Sequence, residues 1–76
     1  MMNAEELRAE IWVLGLWFQN EYTKDEQKFR RLAAMGRLCD DGSDPNAKLI
    51  ALYEEAEENR AKIKQYETML KEIEDE

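Results

Sequence analysis

Apolar and polar positions along the chain fall into two helical patterns separated by one break. From Leu49 onward, Leu49, Leu52, Ala56, Asn59, Ile63, Tyr66, Leu70 and Ile73 recur at alternating spacings of three and four. This heptad stripe predicts a long amphipathic helix, weakest in its middle where Ala56 and Asn59 stand. Upstream, Leu7, Ile11, Leu14 and Phe18 make one stripe, and Phe29, Leu32, Met35, Leu38 and Cys39 make another. Between them come Tyr22 and a polar patch, where the period slips by about half a helical turn. Either a four-residue stutter lets one helix continue, or Thr23 and Glu26 form a capping box that starts a new one. No Gly or Pro lies between Gln19 and Ala34, so one helix is expected, kinked near residues 20–24.

The break is Cys39-Asp40-Asp41-Gly42-Ser43-Asp44-Pro45-Asn46, which gathers three Asp, a Gly and the single Pro. Asp44 before Pro45 reads as an N-cap followed by proline at the first helical position, where its missing N–H does no harm. Asn3 with Glu6 three residues later marks the other helix start, near Ala4. The expected organisation is one all-α domain over residues 1–76: helix 4–38, turn 39–44, helix 45–74, folded back as an antiparallel helical hairpin. In that hairpin Phe29 and Leu32 come near Leu52 and Ala56, and Leu14 and Phe18 near Tyr66 and Leu70. Asp25 and Glu26 fall near Asn59, Arg60 and Lys62, where charges can pair between the arms.

A hairpin uses one stripe of the first arm, yet Ile11 to Phe18 is apolar almost all round. Trp12, Val13, Leu16 and Trp17 need a cover that the second arm cannot supply. Gly15 sits among them, where the absence of a Cβ lets another backbone come close. Two covers are expected. One is a second copy, which makes a homodimeric four-helix bundle; the other is a different protein, with the tryptophans as anchors.

Composition supports helix, since Ala, Glu, Lys, Leu and Arg supply 40 of the 76 residues. Size argues for a partner: a chain this short is marginal alone, a single cysteine cannot form an internal disulfide, and no metal-ligand spacing is visible. The longest apolar run, Ile11 to Phe18, is far below the roughly 20 residues a membrane span needs, and the first residues lack a basic leader. A cytoplasmic protein with a reduced Cys39 is expected.

Charge divides the arms. Residues 1–39 carry six acidic and six basic side chains, whereas residues 40–76 carry twelve and five, so the net charge of −7 resides in the second arm. Glu54, Glu55, Glu57 and Glu58 cluster there. Glu72, Glu74, Asp75 and Glu76 oppose the helix dipole, which favours fraying of the last turn. The acidic balance argues against direct nucleic-acid binding, because counterion release needs a basic surface. One basic cluster exists in the first arm: Lys24, Lys28 and Arg31 share a helix face, with Arg30 and Arg37 nearby. Asp25 and Glu26 are the expected partners for these cations.

The chemistry of catalysis is sparse. Histidine is absent, phosphate-binding glycine motifs are absent, and serine occurs once, at Ser43. Asp40 and Asp41 beside Cys39 disfavour a thiolate nucleophile, and the Asp residues around Gly42 lack the spacing of a calcium loop. No cofactor is expected. What remains is a non-enzymatic interaction module, a small acidic regulatory or inhibitory protein that occludes another protein, in the manner of factors encoded by viruses and mobile elements. The alternative is an assembly scaffold in which the heptad stripe of the second arm pairs as a parallel coiled coil.

Overall fold

The computed structural model describes residues 2–75. Three segments make the first arm without a break: α1 (Ala4–Trp17), a π-helical turn (Phe18–Tyr22) and α2 (Thr23–Ala34). A single long helix, α3 (Pro45–Glu74), makes the second arm and packs antiparallel against both α1 and α2. The expected all-α antiparallel hairpin is the observed fold, and no strand occurs among the described residues.

Both helix starts follow from their caps. Asn3 is extended, and its Oδ1 accepts the Glu6 N–H at 2.8 Å. Asp44 does the same for the Asn46 N–H at 3.0 Å, with Pro45 in the first turn of α3. Each side chain satisfies a donor that the first helical turn leaves without a partner.

The slip in the apolar pattern is absorbed inside the helix. A π-helical turn holds one residue more than an α-turn, so the helix continues and the stripe resumes at Tyr22, Phe29 and Leu32. Thr23 is not a cap. Its backbone is helical, with φ −60° and ψ −44°, and its Oγ1 donates to the Phe18 carbonyl at 2.9 Å.

The first helix ends at Ala34, four residues short of the expected 38. Gly36 takes the left-handed conformation, φ 65°, and the chain closes with Gly36 N–H to Ala33 O at 3.1 Å and Arg37 N–H to Leu32 O at 2.9 Å. These two bonds are a Schellman stop, which the Met35-Gly36 step permits because glycine adopts positive φ without a Cβ clash. Met35 and Leu38 therefore leave the stripe to which their spacing assigned them, and are 53% and 63% exposed. The connection is residues 35–44. Cys39 N–H donates to Ser43 O and Gly42 N–H to Cys39 O, both at 2.9 Å, which closes a tight loop.

The core is narrow. Leu7 and Ala56 are fully buried, and Leu49, Leu52, Asn59, Pro45 and Cys39 are buried around them. Ile11, Leu14, Phe18, Phe29 and Leu32 are half-buried, because a second helix covers only one side of each. Register is fixed at two points. Arg8 reaches Glu74 Oε1 at 2.6 Å, which ties the last turn of α3 to the first arm, and the Arg60 guanidinium lies 5.2 Å from the Phe18 ring centroid and 6.0 Å from that of Tyr22. The Cα trace is a rod of 54 × 17 × 17 Å. Glu76, the last of the terminal acidic residues, lies outside the described residues.

Candidate functional site

Side chains that neither arm covers are the material for function, and they form three surfaces. The first is on α1. Trp12 is 66% and Val13 55% exposed, while Gly15, Leu16 and Trp17 are half-buried. Positions 12, 13, 16 and 17 are neighbours at helical spacing, so they make one apolar face directed away from α3. Trp17 is set by an aromatic cluster: its ring is edge-on to Phe18 at 4.9 Å and tilted against Tyr22 at 5.6 Å. Phe18 and Tyr22 in turn carry the Arg60 cation. Trp12 has no such packing and stands free. A Cβ added at Gly15 would meet nothing within 4 Å, so that stretch of backbone is open to approach.

The second surface is basic. Lys24, Lys28 and Arg31 are exposed, and with Gln19, Asn20, Thr23, Gln27 and Leu32 they line an open trough of about 600 Å³ along the first arm. Among the described residues none of the three has a carboxylate within 4.0 Å. Asp25 and Glu26 do not neutralise them as the spacing implied. Glu26 turns instead to Arg30, four residues on in its own helix, at 3.4 Å, and Arg60 lies over aromatic rings rather than on a carboxylate. Among the described residues, ion pairing between the arms falls to Arg8 and Glu74. The Glu26 carboxylate beside the Tyr22 hydroxyl holds that phenol above its ordinary 10.0.

The third surface is acidic. Glu54, Glu55, Glu57 and Glu58 are all exposed on α3, and among the described residues none has a cation within 4.0 Å. Beside them the structure shows two residues that the heptad reading passed over. Ile50 is 62% and Tyr53 42% exposed, one turn before the glutamates. The signal was present: both are apolar and fall between heptad positions, where a residue must point away from the seam.

Ser43 and Cys39 are engaged in the structure of the connection. Ser43 donates both its N–H, at 3.0 Å, and its hydroxyl, at 2.5 Å, to Asp41 Oδ1. Lys48 Nζ lies 3.5 Å from the other oxygen of Asp41, which joins the loop to the first turn of α3. The Ser43 bonds, aided by Lys48, hold the Asp41 carboxyl down at about 2. Cys39 is buried. Among the described residues no cluster of His, Cys, Asp and Glu has the form of a metal site, and no helix is long and apolar enough to cross a membrane. No family model, curated protein or solved structure matches the chain.

Proposed function

We propose that the chain is a non-enzymatic protein–protein interaction module, a small acidic regulatory or inhibitory protein that binds another protein and occludes it. The observation that carries this reading is the apolar face of α1, where Trp12 and Val13 stand exposed beside Leu16 and Trp17. Burying an indole and an isopropyl group of that exposure stabilises a complex by about 1.5–3 kcal/mol for each side chain. Clustered aromatic anchors of this kind dominate binding energy at protein interfaces. The engagement of Ser43 with Asp41 and the burial of Cys39 support a role without covalent chemistry. The cytoplasm suits it, since a lone buried thiol needs no oxidising compartment.

A scaffold role through a parallel coiled coil has less support. It needs the heptad stripe of α3, and Leu49, Leu52, Ala56 and Asn59 are buried against the first arm of the same chain.

The test is capture with and without the face. Full-length protein is immobilised, and retained proteins are compared between wild type and the double variant Trp12→Gln, Val13→Gln. Both positions are exposed, so the hairpin tolerates the change, and circular dichroism verifies it. A protein retained by the wild type and lost with the variant is the expected result. Retention of the same protein with unchanged affinity and stoichiometry would remove the α1 face from the reading.

A further inference from the structure

The basic trough and the acidic cluster are complementary surfaces on one chain, and the hairpin sets them side by side along the rod. Arg8 with Glu74 and Arg60 with Tyr22 fix the register between the arms. At that register Lys24 lies level with Glu58, and Lys28 with Glu54 and Glu55. Within one molecule the two sets do not meet: no pair among them comes within 4.0 Å among the described residues. Each is an exposed, unneutralised patch of one sign.

We infer that a second copy of this chain docks along the trough, its α3 lying antiparallel to α2 so that Glu54, Glu55 and Glu58 of each copy face Lys28, Lys24 and Arg31 of the other. The symmetry follows from the levels. A two-fold axis parallel to the rod keeps every residue at its own height while it exchanges the arms, so α2 of one copy comes opposite α3 of the other. The contact is made twice, once in each direction, as an isologous interface requires. The same operation brings Val13, 55% exposed, level with Met69 of the second copy, which adds apolar cover to the charged contact. A four-helix arrangement results, with Trp12 outside the charged contact and left for a different protein.

The inference shares Val13 with the α1 face but not Trp12, and charge exchange tests it apart from what Trp12 binds. Full-length wild type is expected to be a dimer by light scattering across a dilution series in about 0.05 M salt, and to dissociate more readily in about 0.5 M salt as screening shortens the reach of the charges. The triple variant Lys24→Glu, Lys28→Glu, Arg31→Glu places like charges at both contacts and raises the dissociation constant by about a hundredfold or more. The variant Glu54→Lys, Glu55→Lys, Glu58→Lys does the same. Mixed together, the two variants form a heterodimer in which both contacts are attractive again. Circular dichroism of each variant verifies that the helices are intact, and the milder Lys24→Gln, Lys28→Gln pair, expected to weaken the dimer partially, serves if a reversal unfolds the chain. Trp12→Gln is expected to leave the dimer unchanged. A monomeric wild type overturns the inference, as does a dimer that both reversals leave intact, or a mixture of helical variants that stays monomeric.

Discussion

Single residues determine where this chain turns, and each carries a measurable signature. Asp41 is the clearest, because its carboxyl is held at about 2 against the ordinary 3.8 by the Ser43 hydroxyl, the Ser43 N–H and Lys48. A carboxyl depressed in the folded state contributes its stability above pH 3.8, and that contribution is lost as the pH falls through about 2. Carboxyl-carbon NMR titration should place its midpoint near 2, and Ser43→Ala should raise it part of the way toward 3.8, since the backbone N–H of residue 43 and Lys48 remain. Two glycines behave oppositely. Gly36 has φ 65°, and although a Cβ there would meet nothing within 4 Å, Gly36→Ala should cost about 1–2 kcal/mol by urea denaturation for backbone reasons alone. Gly15 has ordinary helical geometry and open space around it, so Gly15→Ala should stabilise the hairpin by about 0.5–1 kcal/mol. If a partner backbone approaches at that point, the same change weakens binding, so stability and affinity move in opposite directions. Of these features the Asp44 cap and the loop were legible in the sequence because their residues sit together. The stop at Gly36 was masked by Met35 and Leu38, whose apolar character continued the stripe past the point where the backbone had left it.

At the level of the element, the π-helical turn is the feature that reconciles sequence and fold. The half-turn slip was visible in the spacing, but spacing alone cannot tell a stutter from a helix restart, since both shift the stripe. The backbone decides it, because residues 18–22 form a π-helical turn and Thr23 is helical, with φ −60° and ψ −44°, where a restart would need an extended cap. If the turn holds one surplus residue, deleting Asn20 should convert it to an α-turn with Phe29 and Leu32 still facing α3. The deletion variant should keep its helix content and its melting temperature within a few degrees, whereas deleting Lys28 rotates the rest of α2 by about 100° and unfolds the hairpin. Equal damage from the two deletions would contradict this account. The long helix makes a second case. Its buried residues contact the first arm, so a fragment of residues 39–76 should show little helix by circular dichroism, independent of concentration, because an isolated helix gains nothing from its apolar face. Trimming Leu52 to Ala in the full chain should cost about 2–4 kcal/mol, a large share of the stability of so small a domain.

Across the whole molecule, what the sequence showed well was the surplus: an apolar segment too broad for one seam, and charge segregated by arm. Which charges meet was less legible, because pairing depends on rotamers and level rather than on spacing. Arg60 is the instructive residue, a cation expected among carboxylates that instead caps two rings, while Glu26 turns to Arg30 and, among the described residues, Lys24, Lys28 and Arg31 have no carboxylate within 4.0 Å. The shape of the hairpin has a consequence of its own for any study of its assembly. A rod three times longer than it is wide diffuses and elutes like a rounder particle of greater mass, so the 9.0 kDa chain should leave a sizing column early even as a single copy. Its friction, not its partners, would then set its apparent size, and rotation about the long axis would be several times faster than end-over-end tumbling. Spin relaxation of amides in α3, whose N–H vectors lie near that axis, should report the slower motion.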